Sequence, residues 1–347
     1  MTIVLSVLGA LLTFTFLIFI HELGHFTAAK AFKVPVREFA IGMGPTIFSF
    51  KKKETKYALR AIPLGGFCNM VGEDEEAEEE SALYKQAKWK RIVILAAGGF
   101  MNLLSGLILC IVIVSFSSEV VPSVVSTVFE NSPAAVSGIQ EGDRITKIDN
   151  AHININNDII LKLIVSGEKT VDVTVVRDGN KLTFPVTPTL SNETGRYVLG
   201  IESLRVPNSF LNTIKFGYYE FFSTSQNILD FLGALITGHF SPALMSGPVG
   251  IVSEIGGAVG SVVEQKSVGS WLNFLYLFAL ISINLGLFNL LPVPALDGGR
   301  IIFVLVEAIR RKKINPEVEG IVHLVGFALL IALVIYATTN DISRLIS

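Results

Sequence analysis

Charge is scarce in this chain. Only 17% of its 347 residues are Asp, Glu, Lys or Arg, while half are apolar. That balance excludes an ordinary soluble domain of this length and points to a membrane protein. Net charge is nearly absent too, at −2 near neutral pH. No basic excess is available to grip phosphates, so nucleic acid is not an expected partner. Cysteine is almost missing: of the two present, Cys110 lies in an apolar run and Cys68 in a polar loop. A disulfide framework is therefore not expected. The first apolar run has no basic stretch before it and no small-residue cleavage site after it. It reads as a retained helix, not a signal peptide.

What the chain has instead is long apolar runs. Residues 3–20, 92–117, 270–296 and 321–339 are long and uncharged enough to cross about 30 Å of hydrocarbon. Basic residues orient such spans. The segment between the first two carries Lys30, Lys33, Arg37, Lys51, Lys52, Lys53, Lys56, Arg60, Lys85, Lys88, Lys90 and Arg91. The segment between the last two carries Arg300, Arg310, Arg311, Lys312 and Lys313. Both are expected in the cytoplasm, which puts the N-terminus and the long middle segment outside. Residues 231–253 are also uncharged, but Gly238, Pro242, Gly247, Pro248 and Gly250 interrupt them. They are expected to be interfacial or re-entrant, not a fifth span.

Residues 36–71 alternate apolar and polar side chains, with Lys53-Glu54-Thr55 as a hairpin turn and Gly42, Gly44, Gly65 and Gly66 as bends. They predict β structure beside the membrane. Seven carboxylates crowd into 73–80 and read as a solvated linker. The outside segment, 119–205, holds short strand-like runs at 123–129, 145–148, 170–177, 182–187 and 197–201.

The chemistry sits at the end of the first span, in His21-Glu22-Leu23-Gly24-His25. On a helix, positions i and i+4 share a face, so both imidazoles can bind one ion. Glu22, beside the first ligand, can reach a metal-activated water as general base. Two imidazoles and a carboxylate with one open position suit Zn2+. Ionisable groups are costly in lipid and mark function there. The third ligand must reach the same leaflet. By parity, the third span brings Asp297 to the side of His21 and His25. His323, at the start of the fourth span, is the rival. Pro292 and Pro294 before Asp297, and Gly298-Gly299 after it, favour the carboxylate, because irregular backbone at depth lines protein sites. His152 and His239 lie in the outside segment and are not expected to be ligands.

Two resemblances join these residues. Ser132-Pro133-Ala134-Ala135, Gly138-Ile139, Gly142-Asp143-Arg144-Ile145 and Ile148-Asp149 resemble a PDZ domain, a fold that adds a peptide strand or chain terminus to a sheet edge. The zinc-motif helix, this insert and the run from Asn284 through Asn289, Pro292 and Pro294 to Asp297-Gly298-Gly299 closely resemble the site-2 protease family of intramembrane metalloproteases. Gly98 to Asn102 and Ser246 to Ile251 belong to the same likeness, which covers nearly the whole chain. Similar proteins often carry two PDZ modules, and this insert has room for one.

The likeness implies zinc on His21, His25 and Asp297, water activation by Glu22, and substrate contact by Asn289, with Asn102 a weaker candidate for a similar role. The expected fold is a mainly α-helical membrane protein with four transmembrane helices, a membrane-associated β-hairpin element and an inserted PDZ-like α+β domain. The expected divisions are 1–118, 119–205, 206–269 (amphipathic or interfacial) and 270–347. The implied partners are single-span membrane proteins, such as membrane-anchored anti-sigma factors or remnant signal peptides, a peptide C-terminus at the PDZ-like domain, and the lipid bilayer. The implied location is a bacterial plasma membrane. A metal transporter and a non-catalytic PDZ-bearing scaffold are the competing readings.

Overall fold

An apolar run of 30 residues without proline forms α1 (Thr2–Ala31). The computed structural model describes residues 2–73, 78–192, 194–237 and 247–346. After α1, Lys33 takes a left-handed φ of 61° and Pro35 follows, so the helix cannot continue. The chain then forms β1 (Val36–Lys52) and β2 (Thr55–Met70), turning at Lys53 with a φ of 54°. The expected hairpin is there, but the pairing is more elaborate. Residues 38–41 lie against both 56–59 and 66–69, while 46–52 lie against 55–60. Four segments thus sit side by side, and among the described residues no further strand pairs with the outer side of 66–70. Val36, Phe39, Cys68 and Met70 bury one face against Ala29 and Ile94.

Next comes α2 (Lys88–Ser115). The intervening acidic run is described only in part, since 74–77 lie outside the described residues. Glu73 within it is not merely solvated: its Oε1 accepts from Arg300 at 2.6 Å.

The chain divides into two compact units, Met1–Leu109 with Ile228–Ser347, and Cys110–Asn227. The second is wider than the expected 119–205. It holds β3 (Glu119–Val120), β4 (Val125–Val128), α3 (Pro133–Ser137), β5 (Arg144–Ile148), β6 (Ala151–His152), α4 (Asn156–Ser166), β7 (Val171–Arg177), β8 (Asn180–Val186), β9 (Thr189–Leu190), β10 (Tyr197–Val198), β11 (Ile201–Ser203) and β12 (Val206–Pro207). Strands β6-β5-β7-β8 form the main sheet, and β11 pairs with β4. Ile145, Ile148, Val173, Val175, Ile159 and Leu163 make its core. The extra width has a packing cause. Val114 from the end of α2 and Phe216 from α5 (Phe210–Ile236) join Val120 and Ile155 in a cluster of their own. Asp143 is fully buried beside Arg177, whose Nε and one terminal nitrogen each stand 2.7 Å from a carboxylate oxygen. Burial pushes Asp143 up, but Arg177 and the Gln140 N–H outweigh it and hold the carboxyl below the usual range. A cavity of about 310 Å³ lies between α4 and β10–β11, lined by Ile159, Leu163, Tyr197, Ile201 and Ser203.

In the first unit, α6 (Pro248–Gln265), α7 (Val268–Leu290), α8 (Asp297–Arg310) and α9 (Pro316–Ile346) follow. The expected 206–269 segment is thus two helices. Residues 238–246, including His239 and the middle of the interrupted stretch, lie outside the described residues. Pro248 and Gly250, read from sequence as breakers, open a helix instead. Pro248 occupies the first turn, where its missing N–H costs nothing. Asp341 of α9 accepts the Gly247 and Gly250 N–H groups at 2.9 and 2.8 Å, capping α6. Helix α6 packs on α1, α7 and α9.

Among the described residues, four helices are long and apolar enough to span a bilayer, over Val7–Ala31, Lys88–Ser115, Val268–Leu290 and Glu317–Ser343. The protein is a multi-pass membrane protein, mainly helical, with small antiparallel sheets between the helices.

Buried charge ties short α8 to α2. Glu307 is 6% exposed. Its Oε2 accepts from Arg91 at 2.6 Å, its Oε1 accepts the Ile314 N–H at 3.2 Å, and its backbone carbonyl accepts from Lys88. Removing one partner of such a buried pair leaves a charge without compensation. Arg91→Ala is expected to cost about 3–5 kcal/mol of stability, read as a lowered unfolding midpoint in detergent. A loss under about 1 kcal/mol, the value of an exposed pair, would show that water reaches the carboxylate.

Candidate metal centre

The site begins with helical periodicity. His21 and His25 lie one turn apart on α1, 9% and 6% exposed. The His25 Nδ1 stands 2.9 Å from the Ile94 carbonyl of α2, which can only accept. The proton of neutral His25 is therefore on Nδ1, and the Nε2 lone pair faces the site. The Nδ1 of His21 faces two amides, Asn102 at 3.5 Å and Asn289 at 3.4 Å. Asn102 is completely buried and its Oδ1 lacks a partner. Rotating that amide by half a turn sets Oδ1 against the His21 Nδ1–H and leaves His21, too, with an outward Nε2. Two further bonds hold the Asn102 backbone, whose carbonyl accepts from Ser105 and Ser282 at 2.9 Å each. The two asparagines expected to meet substrate thus both stand against a histidine, where they orient its ring.

Asp297 completes a triangle. Its Oδ2 lies 3.2 Å from the Nε2 of His21 and 3.2 Å from that of His25, and the two Nε2 atoms are 3.2 Å apart. Parity alone does not achieve this placement. Helix α7 stops at Leu290 before Pro292, the chain doubles back through Pro294 and Ala295, and Asp297 opens α8. Both following glycines are required by close approach. A Cβ on Gly298 would overlap the Leu291 carbonyl, and one on Gly299 would stand 2.5 Å from that of Val293. The rival His323 is turned elsewhere, toward Ala295 at 2.8 Å.

The helices approach closely here because they carry no side chain at the contacts. A Cβ on Gly24 of α1 would overlap the Ala97 carbonyl of α2, and one on Gly98 would overlap His25 Nε2. On the other flank of α2, Gly99 faces the Gly286 carbonyl of α7. Helix α2 is therefore a thin wedge between the histidines and α7. The sequence placed Gly24 in the metal motif and Gly98-Gly99 in the family likeness, but as glycines inside apolar runs they give only a weak signal of close helix packing.

Glu22 lies beside β2. A Cβ on Gly66 would sit 3.6 Å from Glu22 Cγ. Cys68 is buried. Burial first, then the Glu22 and Glu73 carboxylates, pushes its thiol up.

The donor set fits zinc. Among the described residues, His21, His25 and Asp297 form the one cluster of three metal-binding groups. Among the described residues Asp297 Oδ2 is buried without a hydrogen-bond donor, and both imidazoles present lone pairs to it. Three lone-pair atoms at mutual distances of 3.2 Å repel unless a cation sits among them. Bonds of about 2.0 Å to a tetrahedral ion give donor separations of about 3.3 Å, close to those seen.

Comparison with known proteins agrees. The model of peptidase family M50 matches residues 9–333. The chain is 38% identical over 338 residues to a Clostridium perfringens protein whose name provisionally describes it as a zinc metalloprotease, covering 97% of this chain and 98% of that one. It is 32% identical to zinc metalloprotease RasP of Bacillus licheniformis and 31% identical to regulator of sigma-W protease RasP of Bacillus subtilis, over 98% of this chain and 99% of each relative. Those two alignments run to 426 residues, more than this chain contains, so the RasP proteins carry segments it lacks. With this family match, these relatives and this histidine–aspartate cluster, the chain belongs to peptidase family M50, the site-2 proteases, and is a zinc metalloprotease.

Proposed function

We propose that this protein is an intramembrane endopeptidase that cuts single-span membrane proteins, with His21, His25 and Asp297 holding zinc and Glu22 as general base. The observation that carries the reading is a complete three-donor metal site, 3.2 Å on each edge, within a set of helices apolar enough to cross a bilayer. Zinc bound there supplies Lewis acidity, which polarises a peptide carbonyl and acidifies water. Glu22 Oε takes the proton from the attacking water and delivers it to the leaving amine. The Ile94 carbonyl and the Asn102 amide oxygen keep the imidazoles of His25 and His21 in the ligating tautomer.

A substrate helix hides its own amides, so it must unwind before cleavage. The outer side of 66–70, beside Glu22, offers N–H and C=O groups that pair with an extended strand. The cavity between α4 and β10–β11 supports a peptide terminus as a second contact in the PDZ-like unit. The Bacillus subtilis relative is named for control of sigma-W, which supports membrane-anchored anti-sigma factors as the substrate class. The charge bias of the loops supports an active site near the cytoplasmic leaflet, with the PDZ-like unit outside.

The test is cleavage of a single-span reporter by the purified chain in vesicles. Chelation is expected to reduce cleavage to background and added Zn2+ to restore it. An intact reporter together with zinc flux across the vesicle would overturn the proposal in favour of transport.

A further inference from the structure

We propose that His323 is a positioning residue for the third zinc ligand: by accepting the Ala295 N–H at Nδ1, it holds the turn that aims Asp297 at the two histidines. This rests on the reading that Asp297 ligates zinc.

The turn from Leu291 to Leu296 has few ways to hold itself. Pro292 and Pro294 have no N–H. Leu291 donates to Phe288, Val293 to Leu291 and Leu296 to Val293, all short-range bonds within the connection. The Ala295 N–H instead leaves the turn and reaches α9, where His323 Nδ1 accepts it at 2.8 Å. Ala295 also has a φ of 76°, a left-handed conformation that a residue with a Cβ adopts only when its surroundings impose it. Asp297 stands two residues on, so an error in this dihedral pair swings the carboxylate directly.

The rest of α9 supports the contact. One turn beyond His323, Gly326 lies so close to Pro294 that an added Cβ would stand 2.8 Å from its carbonyl oxygen. The Phe303 ring of α8 packs on the imidazole at 5.4 Å between centroids. Acceptance at Nδ1 places the proton of neutral His323 on Nε2, the nitrogen turned toward Glu319, 3.9 Å away. The Ala295 N–H and the Phe303 ring hold the imidazole, and an ionisable residue in a spanning helix has a use that packing alone does not provide.

The test is zinc retention of the purified full chain against a competing chelator, with unfolding of the metal-free form measured alongside. Asn places an amide oxygen where Nδ1 stands, whereas Gln places it where Nε2 stands. His323→Asn is expected to keep zinc affinity within a few-fold of wild type. His323→Gln and His323→Leu are expected to weaken it about 10- to 100-fold, as loss of ligand-orienting partners does. Ala295→Gly, which removes the left-handed penalty, is expected to recover part of that loss in the His323→Leu background. Should the Leu variant fail to fold, the contrast between Asn and Gln decides. Equal affinities for Asn and Gln, or wild-type affinity in Leu, would overturn the proposal. Asp297→Asn separates the two readings. If it leaves zinc retention unchanged, the ligand assignment falls and this inference with it. If it weakens retention while His323→Gln does not, only the positioning role falls.

Discussion

Glu22→Gln is expected to lower reporter cleavage by about a thousandfold, within the 10²–10⁴ range of general acid–base catalysis, while zinc content stays at the wild-type level. Gln keeps the size of Glu, so the substitution leaves the local packing in place. What it loses is the basic oxygen. Without it, nothing on α1 takes the proton from water at this point, and nothing returns one to the leaving amine. The three donor atoms belong to other residues, which is why metal and activity should separate. The paired measurement is metal content per chain with initial cleavage rate. Cleavage within tenfold of wild type at equal zinc would remove Glu22 from the base role and turn attention to another carboxylate. A variant that loses zinc as well would show that Glu22 helps to build the metal site.

Gly98→Ala is expected to be damaging by a different route, weakening zinc binding and activity together. The added Cβ would overlap His25 Nε2 and stand 2.7 and 2.8 Å from His21 Cε1 and Nε2. Relief has to come from one of two movements. The imidazoles could swing away, but His25 is held to the Ile94 carbonyl at 2.9 Å and is buried. Helix α2 could retreat, but behind it Gly99 is packed so closely that an added Cβ would stand 3.0 Å from the Gly286 carbonyl and 2.8 Å from the Leu290 side chain. With no slack on either flank, both ligand nitrogens are displaced by a single methyl group. Such overpacking costs about 1–3 kcal/mol of stability, so the chain should still fold. Zinc affinity should fall by at least about 100-fold, beyond the usual cost of an altered ligand-orienting partner. Normal zinc affinity in this variant would mean that the α1–α2 contact is more yielding than its geometry implies.

Local features of the fold are largely legible in the amino-acid sequence. The i, i+4 histidines need only helical periodicity, and the Lys53–Glu54 turn needs only a polar break between alternating strands. The spans are legible too, but with displaced ends. Hydropathy carries the third to 296, yet α7 stops at Leu290, because Pro292 and Pro294 end a helix that apolar character alone would extend. It confines the first and fourth to 3–20 and 321–339, yet α1 reaches Ala31 and α9 covers Pro316–Ile346. Hydropathy marks the part that tolerates lipid, whereas helical hydrogen bonding continues into the polar turns on either side.

By itself, the sequence determined the class of molecule and the elements of its chemistry. Low charge and long apolar runs dictate a membrane protein, and a His-Glu-x-x-His turn at a span's end dictates two nitrogen donors on one face. Tertiary structure decided everything that depends on distance between elements. It brought Asp297 to 3.2 Å from both imidazoles and turned His323 to a backbone amide. It set Asn102 and Asn289 against His21, and made Gly98 the point where α2 touches both ligands. The physical reason is range. Helical and strand periodicity act over a few residues and are written in composition and spacing. The metal triangle joins residues more than 270 positions apart, and its geometry comes from how closely glycine lets the helices approach and how two prolines fold the turn before Asp297.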